Sequence, residues 1–194
     1  MKILFIILFS YILGSIPTAF ILTKLFRGTD IRKIGSGNPG TTNVIRTAGI
    51  TLGIITFVVD FLKGAIPVWI AKYYLTDNLI PVIMFTAILG HIGSIFLFFR
   101  GGKGVATFFG ATFAFSELLC LILVISFGIV FLLTHIVSIS SIFSVFTFIV
   151  FSIILYRHRF GYFTTFFVIS AIVIIWRHKG NIQRLLRREE RPIF

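Results

Sequence analysis

Apolar residues run in long blocks along this chain, separated by short polar segments rich in glycine and basic residues. A helix needs about 20 apolar residues to cross the hydrocarbon of a bilayer, and blocks 3–23, 48–71 and 80–99 each reach that length. Three more follow at 105–134, 136–156 and 161–176. The first of these is too long for one crossing and is interrupted at Ser116-Glu117. A break there makes two short helices and brings the total to seven. The expected fold class is therefore all-α: a polytopic integral membrane protein with seven transmembrane helices. Residues 1–194 are expected to form a single membrane-embedded domain, because no sustained repeat or linker divides them. A signal peptide is the competing reading of block 3–23, but the run is long and no A-x-A-like cleavage site follows it.

Orientation follows from the basic residues, which gather in cytoplasmic loops. Lys24, Arg27, Arg32 and Lys33 follow the first block against Lys2 alone before it, so the N-terminus is expected outside. Three crossings after residue 105 would leave the basic tail "RHKGNIQRLLRREER" outside, whereas four place it inside. With four, the C-terminus is cytoplasmic and thirteen of the 18 Lys and Arg lie on the inner side. Lys2, Lys72, Arg157 and Arg159 lie outside, and Lys63 falls within a helix. The external Arg157 and Arg159 run against the rule and keep a six-helix or re-entrant arrangement open.

Composition sharpens this picture. Hydrophobic residues make up 57 % and charged residues 12 %, against roughly 25 % charged in soluble domains. A net charge of +12 in a soluble chain would point to nucleic acid. Here so few polar positions remain that anionic lipid headgroups or anionic substrates are the expected partners. The single cysteine, Cys120, lies in "LLCLILV" and excludes an intrachain disulfide or a cysteine zinc cluster.

The chemistry-bearing residues form three polar islands. The first, "GSGNPGTTN" at 35–43, has the G-x-G-x-x-G spacing of a dinucleotide fingerprint, but no strand precedes it, so that reading fails. Gly35, Gly37 and Gly40 can still let backbone N–H groups converge on an anion near a helix N-terminus. Ser36, Asn38, Thr41, Thr42 and Asn43 add hydrogen-bonding side chains, and Arg46, three residues after Asn43, adds a planar fork for phosphate. An ordinary capped turn is the plainer reading. The second island, "GHIGSIFLFFRGGKGVAT", sets Arg100 and Lys103 around Gly101 and Gly102, with Gly104 following. No Ser or Thr follows the lysine, so it is not a Walker A loop, and a snorkelling basic turn is the alternative. His91 is expected to be a buried, hydrogen-bonded histidine, roughly 13 Å from Arg100 if the helix continues between them. The third island, "RHKGNIQRLLRREE", aligns His178, Asn181 and Arg184 at helical spacing. Arg187, Arg188 and Arg191 suit a basic tail lying on anionic lipid. Asp60 and Lys63, three apart in the second block, are expected to pair.

Several chemistries are absent. His91, His135, His158 and His178 are scattered, only six carboxylates exist, and no metal or other cofactor is expected. There is no G-x-S-x-G elbow. The His-x4-Asp pair of many glycerolipid acyltransferases is also missing, since Phe96, Ser140, Phe163 and Gln183 stand where the aspartate would be. A secondary transporter for a small phosphate ester is the alternative class, but it would place its site at the midplane between repeated halves.

"GSGNPGTTNVIRTAG", "GHIGSIFLFFRGGKGVAT" and "HKGNIQRL" resemble the three signature motifs of the bacterial acyl-phosphate:glycerol-3-phosphate acyltransferases, the PlsY family. "YILGSIPTAF" and "DFLKG" match as well, so the resemblance spans nearly the whole chain. It implies an inner-membrane enzyme with its active site at the cytoplasmic face. Such an enzyme moves a fatty acyl group from long-chain acyl phosphate to the 1-hydroxyl of glycerol 3-phosphate. Lysophosphatidate and inorganic phosphate are the products. By position, Ser36, Asn43 and Arg46, then Gly101, Gly102 and Lys103, then His178 and Asn181 carry the three motifs. This chain departs from the pattern at Gly93-Ser94, where Phe-Pro is usual, and at Phe98 and Arg100, where lysines are common.

Overall fold

The structure is a computed structural model that describes residues 1–157, 161–190 and 192–193. His158, Arg159 and Arg191, named above, lie outside the described residues. Every regular element among the described residues is helical. Five segments are long and apolar enough to cross a membrane: Lys2–Arg27, Ile50–Tyr74, Asp77–Leu97, Glu117–Thr134 and Val137–Leu155. Two shorter apolar helices, Val105–Phe115 and Phe163–Arg177, complete the set among those residues.

The chain divides into two compact units, Met1–Phe115 and Ser116–Phe194. The first contains α1 (Lys2–Ser15), α2 (Thr18–Arg27), α3 (Thr41–Ala48), α4 (Ile50–Tyr74), α5 (Ile80–Ile92) and α6 (Val105–Phe115). The expected first helix is thus broken. Pro17 lacks an N–H and forces Ile16 out of helical geometry, to φ −55° and ψ 119°, so α1 stops at Ser15. The second block is also divided, because Gly49 at φ 100° separates α3 from α4. The first island therefore opens an eight-residue helix of its own rather than the long second helix.

Close backbone approach holds this unit together. A Cβ on Gly14 of α1 would collide with Ala87 O of α5, and one on Gly90 would collide with Tyr11 O. Gly64 of α4 meets Thr107 O of α6 in the same way, and Gly110 meets Phe61 O. Small residues at such crossings let helices in lipid approach within main-chain contact. The Asp60–Lys63 pair forms as expected, with Nζ 2.5 Å from Oδ1 and both side chains almost fully buried.

The second unit contains α7 (Glu117–Thr134), α8 (Val137–Leu155), α9 (Tyr162–Arg177) and α10 (Lys179–Leu186). The helix break expected at Ser116-Glu117 is present, and Ser116 Oγ accepts from Leu119 N at 3.3 Å as the N-cap of α7. Phe148, Phe163 and Phe167 pack in the core, with Phe148 and Phe167 edge to face at 5.1 Å. The serines of α8 are satisfied largely by their own helix: Ser140, Ser141, Ser144 and Ser152 each donate to a carbonyl three or four residues back.

Gly64→Ala and Gly110→Ala should each lower stability by about 1–3 kcal/mol through overpacking against main chain. Gly128→Ala in α7, where a Cβ meets nothing within 4 Å, should be neutral or stabilising by about 0.5–1 kcal/mol. Thermal unfolding in detergent reads both. Equal shifts at all three positions would contradict the packing described.

Candidate active site

The loop between α2 and α3 is folded around Asn43. This side chain is 2 % exposed. Its Oδ1 accepts from Ser36 N at 2.9 Å, and its Nδ2 donates to Ile31 O at 3.2 Å and Ile34 O at 3.0 Å. All three bonds tie the loop to the start of α3, so Asn43 shapes the loop. Gly35 and Gly37 take φ of 59° and 70°, and a Cβ on Gly35 would collide with Asn43 Oδ1. Ser36 is exposed, and its Oγ accepts from Asn38 N at 3.4 Å. Gly40 precedes α3 without a side-chain cap, and the Thr41 hydroxyl has no hydrogen-bond partner among the described residues. Arg46 is exposed on α3, whereas Asn43 is turned inward, so these two do not present a common ligand face.

Upstream in this loop, Asp30 accepts from Arg32 Nε at 3.0 Å and Nη2 at 2.7 Å. This guanidinium holds the Asp30 carboxyl down at about 2. Arg32 also lies over the Phe20 ring, 5.0 Å from its centroid. Its charge is therefore engaged within the loop.

The second island departs from expectation. Helix α5 ends at Ile92, and the chain turns back through Ile95–Leu97 and through Phe98 and Phe99, both at positive φ. Gly101 N donates to Ile92 O at 2.9 Å and Gly102 N to His91 O at 3.1 Å. These two amides thus close the end of α5. Both positions are glycine for space: a Cβ on Gly101 would collide with His91 O, and one on Gly102 with His91 Nε2. His91 accordingly lies beside Gly102 rather than roughly 13 Å from the basic end of a continuous helix. Gly104 at φ 86° leads into α6, Lys103 is half-buried, and Arg100 is exposed. A Cβ on Gly102 would lie 3.2 Å from Pro39 O, so the first two glycine loops touch there.

In the second unit His178 joins α9 to α10 and is 2 % exposed. Its Nδ1 lies 2.8 Å from Ile174 O. A carbonyl only accepts, so Nδ1 is the donor in this contact. Asn181 Nδ2 donates to Glu190 Oε1 at 2.5 Å, Arg184 Nε to Oε2 at 2.6 Å, and Ser138 Oγ to Oε1 at 3.0 Å. Glu190 was not singled out from the sequence. A carboxylate inside a cationic tail was the available signal. Burial pushes its carboxyl up, but the hydrogen bonds from Asn181, Arg184 and Ser138 outweigh that and lower it overall. Arg187 and Arg188 are exposed.

The same chain matches the glycerol-3-phosphate acyltransferase family model over residues 4–188. It belongs to the glycerol-3-phosphate acyltransferase family. A glycerol-3-phosphate acyltransferase of Pelagibacter ubique (strain HTCC1062) is 40 % identical over 98 % of this chain and 97 % of its own. That of Francisella tularensis subsp. holarctica (strain OSU18) is 44 % identical over 97 % and 91 %. The fold superposes on the crystal structure of PlsY (YgiH), an integral membrane glycerol 3-phosphate acyltransferase, in its glycerol 3-phosphate form. The TM-score is 0.92 at 36 % identity, covering 99 % of this chain and 96 % of that one. Its lysophosphatidic acid form gives 0.88 at 35 % identity, covering 99 % and 95 %. This acyltransferase is therefore an all-helical membrane protein.

Because the folded Glu190 carboxyl is lowered, its contribution is complete above the ordinary glutamate value of about 4.3 and is lost as pH falls through the folded value. Thermal unfolding followed from pH 7 down to about 3 should show a loss in the wild type that Glu190→Gln does not share. Parallel pH curves would remove Glu190 from the anchoring of α10.

Proposed function

We propose that this chain transfers a fatty acyl group from acyl phosphate to the 1-hydroxyl of glycerol 3-phosphate. Family membership supports the acceptor. The observation that carries the reading is the contact between the two glycine loops at Pro39 and Gly102, which draws Lys103 and the start of α3 into one region. Two loops fit two phosphorylated substrates.

The hydroxyl oxygen attacks the acyl carbonyl carbon, the bond from that carbon to the phosphate oxygen breaks, and inorganic phosphate departs. Acyl phosphate is already a mixed anhydride, so no covalent enzyme intermediate is required. Positioning and electrostatic stabilisation carry the reaction. Arg46 and Lys103 neutralise phosphate, the first through a planar fork and the second as a point charge. Ser36, Asn38, Thr42, Arg100 and Asn181 contribute polar contacts to the substrates. His178 hydrogen-bonds substrate or positions the third motif. The hydroxyl proton passes to substrate phosphate, whose second pKa near 6 suits the task. A main-chain carbonyl on His178 Nδ1, rather than a carboxylate, supports this assignment, since a neutral acceptor stabilises imidazolium less. The chain crosses the bacterial inner membrane seven times, N-terminus outside, with the reaction at the cytoplasmic face.

Purified protein should form lysophosphatidate from radiolabelled glycerol 3-phosphate with acyl phosphate and not with acyl-CoA. Arg46→Ala should weaken phosphorylated substrate by about 2 kcal/mol, roughly thirtyfold in KM, and Arg46→Lys should recover only part. His178→Gln, which cannot titrate, should retain measurable turnover. Turnover with acyl-CoA alone, or an unchanged KM in Arg46→Ala, would overturn the donor or the residue assignment respectively.

A further inference from the structure

Three buried polar side chains lead from α4 through α5 to the Lys103 loop and have no role in the acyl transfer described. Asp60 and Lys63, one turn apart in α4, are 2 % and 3 % exposed and form an ion pair. Lys63 Nζ also donates to Ile16 O, the carbonyl just past the end of α1 that accepts from Thr18 N at 3.0 Å as well. His91 of α5 is 8 % exposed, and its Nδ1 is 3.9 Å from the same Asp60 Oδ1. The opposite edge of the imidazole faces the loop. A Cβ on Gly102 would collide with its Nε2 and lie 3.1 Å from its Cδ2. The His91 carbonyl accepts the Gly102 N–H, and beyond Gly102 stands Pro39 of the first glycine loop.

We infer that His91, oriented by the buried Asp60–Lys63 pair, is a positioning residue that sets the Lys103 loop against the first glycine loop. The inference rests on the phosphate-binding role proposed for Lys103. A buried ion pair is a poor device for stability alone, because apolar residues of equal volume often serve as well. It does supply direction. Lys63 holds Asp60 in place and ties α4 to the end of α1, and the carboxylate faces one edge of the His91 ring at 3.9 Å, a charge-to-ring approach longer than a hydrogen bond. The other edge occupies the space in which any side chain at residue 102 would lie. Two main-chain hydrogen bonds then carry the position of His91 and Ile92 into Gly101 and Gly102, the residues that precede Lys103. A rotated His91 ring would leave Gly102 unsupported between α5 and Pro39.

The test uses Asp60→Leu with Lys63→Met, which removes both charges together and leaves neither unpaired. His91→Phe and His91→Gln accompany it. In the double variant, unfolding should stay near the wild-type temperature while KM for acyl phosphate rises about tenfold or more and kcat changes less. Amide exchange at Gly101 and Gly102 should accelerate by about tenfold or more, with α7–α9 unaffected. His91→Phe should behave like the double variant, and His91→Gln, which keeps a hydrogen-bonding group, should recover part of the loss. If His91→Phe does not fold, the double variant decides alone. Unchanged exchange at the two glycines overturns the inference whatever KM does. A uniform acceleration through α1–α6 overturns it too, by reducing the trio to general stability. Faster exchange at the glycines with an unchanged KM upholds the positioning and instead removes Lys103 from phosphate binding, which wild-type kinetics in Lys103→Ala would confirm.

Discussion

A helix that stops within a bilayer leaves carbonyls that lipid cannot satisfy, and this chain stops its helices repeatedly. Several of these stops are met by a polar side chain or a returning main-chain amide of the same unit. Lys63 takes the Ile16 carbonyl at the end of α1. Arg27 takes Ala48 O at the end of α3 at 3.0 Å, and Lys72 takes Ala114 O near the end of α6 at 3.0 Å. Beyond α5, the phenol of Tyr11 donates to Gly93 O at 2.7 Å and Ser94 Oγ returns to Ser15 O. The Gly101 and Gly102 amides close α5 itself, and His178 Nδ1 donates to Ile174 O in α9.

This constraint explains why so many charged and hydroxyl side chains in a lipid-embedded chain are structural. It also distinguishes buried polar groups that build the loops from exposed basic ones. Asn43 and Glu190 spend their hydrogen bonds on loop and tail, whereas Arg46 and Arg100 are exposed. Breaking the helices yields loops stiff enough to position basic side chains. The capping groups supply that stiffness.

Much of this was legible in the sequence. Hydropathy located the apolar segments, and Ser116 followed by Glu117 marked a helix start that is present. The i, i+3 spacing of Asp60 and Lys63 foretold their ion pair. The motifs pointed to the family on residues that the family model also covers. Other features depend on tertiary return of the chain, which no local pattern records. An unbroken helix from 80 to 99 put His91 far from Lys103, yet the turn at Gly93-Ser94 brings it beside Gly102. A glycine-rich phosphate loop and a glycine-rich helix closure read alike until the acceptors of the two amides are known. Glu190 was hidden because its partners lie on α8 and α10, with Ser138 fifty-two positions away in sequence. Pro17 was a signal in plain view, outweighed by the apolar length around it.

Collecting Arg46, Lys103 and His178 at one face of the bilayer is central to the proposed acyl transfer. The direct measurement is sidedness of single cysteines in a Cys120→Ala background, using a membrane-impermeant thiol reagent on intact cells and inverted vesicles. Lys33→Cys, Arg100→Cys and Arg187→Cys should all react in inverted vesicles only, and Asp77→Cys in intact cells only. Labelling of Arg187→Cys from outside the cell would contradict the arrangement.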